Sequence, residues 1–503
     1  MSEVKSFQTT AFAVSGFLMA LGFCFKSLWP LAFFVLTPAI FLFIKAKKKI
    51  SLFKAMTVYY ISYYFIVNIW ITNISEYAFD NFIKGKLIML AANFIISIIL
   101  SLTGSLPFLF CKKFNVVAFP LLFITGEWLQ GLHDIIGFPW GRVCNIITPF
   151  TVFIQSASLL GGLFISFLVI LLNCFFAWIL IYKMEYIKLI CLVTAIISSN
   201  FIYGFYRLSI FNNSNSNNVV IVQGNYPKEE KWNNEAEEIL NTYIEATEKN
   251  ISNNTNLVVF PETAFPFNFF ESNKLSKKLY DLSSDHNITI LLGLQYSKDG
   301  KTYNSMIAIE PDNNISDIYM KQRLVPFGEY TPFEKILKFR FTECPFSCGT
   351  ESVILNTEAG KISCAICFES VFPEISRQSV LKGGEAIAVL TNDSWLGNTI
   401  PLYQHHSHSI MRAVENNRYV ITGTNTGISS VITNNGYITN ISDINKSEVI
   451  SSSYELIDDL TLYSKTGDII VIPGIIIMLM QFAKCVKTYC LSLIHISEPT
   501  RLD

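Results

Sequence analysis

The sequence predicts a chain in two parts, a multi-span α-helical membrane bundle joined to an α/β domain. Three observations carry this. Hydrophobic residues fill 51% of the 503 positions and charged residues only 15%, against about 25% charged in an ordinary soluble domain. The charge deficit is concentrated before about residue 207, and the stretch from there to about residue 465 has ordinary globular composition. Within that stretch, short β-branched runs alternate with helical segments, the pattern of α/β layering.

A spanning helix needs roughly 20 mostly apolar residues. Such runs fall at about 11–25, 27–44, 55–72, 87–110, 115–132, 151–181 and 188–206, with an eighth at about 468–483. The expected division is a bundle of about seven spans over 1–206, a domain over 207–465, a closing span over 466–490 and a tail over 491–503 with no assigned role. The first run lacks a small-x-small cleavage site and a second apolar run follows almost at once, so it counts as a span and not as a signal peptide. Lys45, Lys47, Lys48, Lys49 and Lys54 follow the second run, Lys112 and Lys113 the fourth, and Lys183 and Lys188 the sixth. Every second loop is thus basic. Basic loops stay on the cytoplasmic side, which puts the N-terminus inside and the 207–465 domain outside. The aromatic, Gly/Pro-rich segment from Gly137 to Arg142 lies at the outer end of the fifth run, just after Glu127 and Trp128. A carboxylate there is either functional or turned to interfacial water, and the Trp is most simply an interface anchor.

The net charge of −1 gives no reason to expect nucleic acid as a partner. Of eleven cysteines, Cys24, Cys111, Cys144, Cys174 and Cys191 lie in or beside apolar runs. A thiol there behaves as a small hydrophobe, so the count does not indicate a disulfide scaffold.

In the domain, strands are expected at Val219–Gln223, Leu257–Phe260, Ile288–Leu292, Met306–Ile309, Lys361–Ile366 and Ala386–Leu390, with a helix from Asn234 to Lys249. Three strand ends carry residues of catalytic type. Pro261-Glu262-Thr263-Ala264 follows the second strand, Lys321 follows Ile318-Tyr319-Met320, and Cys367-Phe368-Glu369 follows Ile362–Ile366. A Cys with a free pKa of about 8.5 has little thiolate at neutral pH. A carboxylate can take its proton, and an ammonium can stabilise the oxyanion that follows its attack. Spacing alone leaves each residue open to a structural role, with Glu262 as a helix-start charge and Lys321 as a surface charge.

Together, Pro261-Glu262-Thr263-Ala264, Lys321 with Leu324-Val325-Pro326-Phe327-Gly328-Glu329-Tyr330-Thr331-Pro332, and Cys367-Phe368-Glu369 resemble the bacterial apolipoprotein N-acyltransferases, membrane-anchored members of the nitrilase superfamily. Gln223-Gly224-Asn225 with Lys231-Trp232, the segment Asn392 to Gly397, and the segment Arg412 to Arg418 complete the pattern. The resemblance runs over nearly the whole chain. It implies a nitrilase-like αββα sandwich, with Glu262 as general base, Lys321 as cationic stabiliser and Cys367 as nucleophile. Supporting roles fall to Trp232, Glu329 and Glu369. Phe368 departs from the pattern, since Tyr is expected there; the ring is kept, the hydroxyl is lost, and its backbone N–H remains a candidate oxyanion donor.

The implied reaction moves a fatty acyl chain from a glycerophospholipid, through a Cys367 thioester, to the N-terminal amine of a diacylglyceryl-cysteine apolipoprotein. It needs no cofactor and no metal, and it belongs at a bacterial inner membrane with the catalytic domain on the periplasmic side. One chain supplies every part, so a monomer suffices. The alternatives are a membrane-tethered C–N hydrolase using the same three residues and a non-catalytic scaffold.

Four further features are weighed. Cys364 and Cys367 have redox-pair spacing, and with Cys344 and Cys348 they number four zinc ligands. Strand alternation should put Cys364 and Cys367 on opposite faces, against both readings. A Cys344–Cys348 disulfide and two separate thiols are equally compatible with an oxidising compartment. His405, His406 and His408 precede a helix and are expected to line the site entrance, not to bind metal. Phe267, Phe269 and Phe270 suit either core packing or a lipid-facing mouth.

Overall fold

All the apolar runs are helical in the computed structural model, which describes residues 2–497 except 79–80, 112, 133–136, 183–186, 211–215, 227–235, 333, 335–344 and 398. Six helices among the described residues are long and apolar enough to cross a membrane: Lys5–Cys24, Lys26–Lys45, Phe82–Phe108, Gly162–Tyr182, Ile187–Ser209 and Ile469–Thr488. Leu52–Val67, Ala118–Leu129 and Thr151–Leu160 are apolar but shorter. The run expected to be continuous over 151–181 is therefore two helices. Gly161 separates them at φ 78°, a left-handed conformation that costs glycine little. The Tyr463 ring packs where a Cβ at this position would stand. The closing helix runs on to Ser497, past the expected end of the span at 490.

Buried polar side chains repair the breaks within the bundle. Lys26–Lys45 is a 3-10 stretch followed by an α-helix. Where the two meet, Asn173 from Gly162–Tyr182 accepts from the Leu36 and Thr37 N–H groups at 2.9 and 3.1 Å and donates to the Ala32 carbonyl at 2.8 Å. Irregular backbone at membrane depth is tolerated only when it is satisfied in this way.

Twelve strands follow in chain order among the described residues: β1 Ser216–Gln223, β2 Thr255–Val259, β3 Thr289–Lys298, β4 Lys301–Ile309, β5 Tyr319–Met320, β6 Ile354–Thr357, β7 Gly360–Ile366, β8 Ala386–Thr391, β9 Val420–Thr424, β10 Ser430–Ile432, β11 Ile438–Ile441 and β12 Glu448–Glu455. They form two six-stranded sheets, ordered β12-β1-β2-β3-β4-β5 and β11-β10-β9-β8-β7-β6. The central trios β1-β2-β3 and β7-β8-β9 are parallel, and the flanking pairs are antiparallel. Parallel neighbours need helical crossovers. Ala236–Glu248 and Asn273–His286 serve the first sheet, and Pro373–Leu381 and Thr399–Asn416 the second.

The sheets face each other. Val219, Ile221, Val259 and Leu291 of the first pack against Ile362, Ile366, Leu390 and Ile421 of the second. The helices therefore sit on the outer faces, which gives the expected αββα sandwich. On the outer side of the second sheet, Ile387, Val389, Val414 and Ile375 share one continuous apolar cluster with bundle residues such as Trp140, Ile146 and Ala157. That helical layer is packed between a sheet and the membrane bundle.

Candidate active site

Ligand sites in parallel sheets gather beyond the carboxyl ends of the strands, and the three candidate residues stand at such ends. The chain beyond β2 continues along β3, with the Phe260 N–H donating to the Leu291 carbonyl at 2.9 Å and the Ala264 N–H to the Gly293 carbonyl at 3.1 Å. This docks Glu262 over Gly293. A Cβ there would fall 2.7 Å from the Glu262 Cα, so the close approach requires glycine. Lys321 follows β5 directly, its N–H donating to the Asn304 carbonyl at 2.8 Å and its carbonyl accepting from the Gly349 N–H at 2.7 Å. Cys367 directly follows β7 at φ 53° and opens the 3-10 turn Cys367–Val371. A non-glycine residue in that region stores roughly 1–3 kcal/mol of strain and persists only where its surroundings enforce it.

The charged side chains form one buried cluster. Lys321 Nζ lies 3.2 Å from Glu262 Oε1 and 2.9 Å from Glu329 Oε1. Asn304 Nδ2 donates to the same two oxygens at 2.6 and 2.8 Å. The Asn392 N–H donates to Glu262 Oε2 at 2.7 Å, and the Val325 N–H to Glu329 Oε2 at 2.7 Å. Lys321 is 1% exposed. Burial alone would lower its pKa, but Glu262, Glu329 and Cys367 outweigh that and push it up, so it is held as a cation.

The Cys367 thiol is pushed well above its ordinary range by burial first and by the Glu262 charge second, while Lys321 opposes the shift. A buried thiol beside a carboxylate rests protonated and needs a base before it can attack. Glu369, two residues on, is fully buried. Ile366 N–H and Tyr319 Oη donate to its Oε2 at 2.7 and 2.8 Å, and Gln322 and Arg323 N–H to its Oε1 at 2.6 and 3.1 Å. Burial pushes its pKa up to about 7, against the Ile366 N–H, Lys321 and the Gln322 N–H. Its four donors tie the turn at Cys367 to the segment carrying Lys321. Phe368 is buried, its ring stacked on bundle residue Phe138 at 5.8 Å and packed edge-on against Phe372 at 5.0 Å.

The structure thus brings together Glu262, Lys321, Glu329, Cys367, Phe368 and Glu369. Trp232 and Cys344 lie outside the described residues. Several expectations change. Cys364 and Cys367 are both buried between the two sheets, not on opposite faces, because Cys367 leaves the extended conformation where alternation ends. His405, His406 and His408 lie within Thr399–Asn416 and are all buried, so they do not line an entrance. Glu127 is buried, with Oε1 accepting from the Val143 N–H at 2.7 Å, and does not face interfacial water. Phe269 sits in the core under the first sheet's helices, while Phe270 is exposed beside Tyr296. Asn304 was not singled out from the sequence, since nothing in Lys301–Ile309 marks one polar strand residue as a hub. Asp393 stood inside a matched segment but had no assigned role.

These features define a member of the carbon-nitrogen hydrolase class fused to a membrane bundle. Residues 218–456 match the Carbon-nitrogen hydrolase family and residues 15–175 the Apolipoprotein N-acyltransferase N-terminal domain. The chain is 29% identical over 375 residues to the apolipoprotein N-acyltransferase of Geobacter metallireducens, covering 70% of this chain and 71% of that protein. With that of Aquifex aeolicus it shares 30% over 335 residues, covering 65% and 73%. With that of Borreliella burgdorferi it shares 28% over 385 residues, covering 71% and 72%. The chain belongs to the apolipoprotein N-acyltransferase family.

Proposed function

We propose that this protein N-acylates lipoproteins by a two-step transfer through Cys367. Glu262 takes the thiol proton, and Sγ attacks the acyl ester carbon of a glycerophospholipid. Lys321 and the Phe368 N–H stabilise the tetrahedral oxyanion. Collapse breaks the ester C–O bond, and the Glu262 proton passes to the departing lysophospholipid, leaving a thioester. The N-terminal amine of a diacylglyceryl-cysteine apolipoprotein then attacks that carbonyl. Its N–C bond forms, the S–C bond breaks, and the amine proton returns through Glu262 to the thiolate. Glu329 and Glu369 act as positioning residues, the first on Lys321 and the second on the turn.

The observation that most supports this reading is the buried cation Lys321 between two glutamates, within electrostatic reach of a left-handed Cys at a strand end. The chain's family and its long apolar helices favour a lipid ester as donor over a small amide, so the hydrolase alternative is not favoured. The alternating basic loops support a catalytic domain on the periplasmic face of the inner membrane, over about 207–465, and the site's origin in a single chain supports a functional monomer.

Intact-mass analysis after incubation with phosphatidylethanolamine tests the mechanism. Wild type should gain a hydroxylamine-labile acyl group, and Cys367→Ala should not. Folded wild type that gains no such group across a range of phospholipids would overturn the thioester reading.

A further inference from the structure

His405 is used by none of the steps above, yet it touches the nucleophile's own peptide. It is 5% exposed, on the helix wedged between the second sheet and the bundle. Its Nδ1 lies 3.0 Å from Asp393 Oδ1. Its Nε2 lies 3.1 Å from the Cys367 carbonyl oxygen and 3.0 Å from Ser370 Oγ. The Cys367 Sγ, an Asp393 carboxylate oxygen and a His405 ring nitrogen all fall within 4.8 Å of one another.

The partners of the two ring nitrogens point to a charged ring. Ser370 Oγ lies 3.0 Å from both the Cys367 carbonyl oxygen and His405 Nε2. The carbonyl is acceptor-only, so a protonated Nε2 donates to it at 3.1 Å. Nδ1 faces a carboxylate that also accepts from Thr391 Oγ1 at 3.1 Å, so Nδ1 donates as well. An imidazole that donates from both nitrogens is an imidazolium. The ring also stacks on bundle residue Trp140, centroids 5.4 Å apart and planes 21° from parallel, and an indole face favours a cation. Trp140 is itself fixed by its Nε1 donating to Gln404 at 2.9 Å. Burial pulls the His405 pKa down, but the charge and hydrogen bond of Asp393 and the Cys367 carbonyl carry it above its ordinary value. The titratable groups facing it include Asp393, Cys367 and Glu262 from the domain. On its own helix, His406 is pushed down to about 3 by burial, Lys26 and His405, and His408 is pushed well below its ordinary value by burial, Arg412 and His405.

The Cys367 carbonyl shares a peptide unit with the Phe368 N–H. In a trans peptide the two point in opposite directions. Fixing the carbonyl toward His405 fixes the N–H toward the other side, and a charged donor on the carbonyl polarises the N–H into a better donor. We propose that His405, held by Asp393 and braced by Trp140, is a positioning residue that fixes the Cys367–Phe368 peptide so that its N–H meets the acyl oxyanion. The bundle thereby reaches the oxyanion site through one stacked ring. This inference rests on the thioester reading given above.

The test separates a step that builds an oxyanion from one that does not. Full-length protein in detergent micelles is followed by two rates at Cys367, acylation by phosphatidylethanolamine and alkylation by iodoacetamide, each read at the Cys367 peptide by mass spectrometry. Removing an oxyanion donor outright costs about 10²–10³ in rate, and removing its support should cost about 10–100-fold. His405→Leu should slow acylation by that factor and leave alkylation within about twofold. His405→Gln, which keeps an N–H for the carbonyl, should recover most of the loss. Equal slowing of both reactions would mean a merely structural residue, and undiminished acylation in His405→Leu, or no recovery with Gln, would equally overturn the proposal. A wild type that forms no adduct would instead sink the thioester reading itself.

Discussion

On the outer face of the first sheet, Asn273–His286 buries Ser276, Leu279, Leu282 and Ser283 and turns most of its other side chains outward. On the outer face of the second sheet, Thr399–Asn416 exposes only Tyr403 among its described side chains. The first helix has one partner layer and follows the apolar-stripe rule. The second is enclosed by a sheet and a membrane bundle, and much of what it buries is polar. Several of those groups are paired: Gln404 with Trp140, His406 with Ser430 at 2.7 Å, His408 with Asn145 at 3.2 Å, and Glu415 with the Gly162 N–H at 2.9 Å. Burying polar groups is costly unless they are paired. The enclosed helix should therefore tolerate substitution far less than the exposed one, and its damage should reach the chemistry.

The sharpest contrast is expected from Arg412→Ala. Arg412 Nε lies 2.8 Å from Glu415 Oε2, both groups at most 2% exposed. Removing it strands a buried carboxylate and should destabilise the protein by about 3–5 kcal/mol, seen as a lower midpoint of thermal unfolding in detergent, with acylation lost in parallel. Leu279→Ala in the outer layer should come next, at about 2–3 kcal/mol because that layer relaxes toward solvent. Its acylation rate at a permissive temperature should match wild type. A larger cost for Leu279→Ala than for Arg412→Ala would break the comparison.

A smaller effect depends on pH. The His405 pKa is raised on folding, so its stabilisation is fully present below the ordinary histidine value of about 6.5 and is lost as pH rises through the folded value. Wild type should exceed His405→Gln by about 1–2 kcal/mol at pH 6, and the gap should narrow as pH rises; denaturant unfolding at several pH values measures it. The smallest effect belongs to Glu237→Ala. Glu237 joins Lys274 and Lys278 at 2.7 and 2.8 Å on the outer layer, and such surface pairs contribute little. Neither unfolding midpoint nor activity should move measurably.

The two-part division and the three strand-end residues were legible because each depends on local signals. Apolar runs mark helices, β-branched runs mark strands, and Glu262, Lys321 and Cys367 stand where those runs stop. What depends on one segment approaching another was not legible. The break at Gly161 reflects a Tyr463 ring that arrives from about 300 residues downstream. Asn304 becomes a hub only when β4 meets the loops that carry Glu262 and Glu329. The shared face of Cys364 and Cys367 follows from one left-handed φ, which alternation cannot anticipate. The histidines suggested an exposed cluster because polar side chains usually face water; here the membrane bundle covers them.

The Glu415 carboxylate that accepts from the Gly162 N–H lies 253 residues later in the chain. A ribosome adding about 5–20 residues per second needs roughly 13 to 50 s to deliver it. For that interval the helix Gly162–Tyr182 has lipid and neighbouring helices around it but lacks the acceptor for its first amide. The membrane half thus reaches its finished state only after the catalytic half has folded against it. A nascent chain stalled or truncated within the domain would leave a bundle with an open helix end at Gly162.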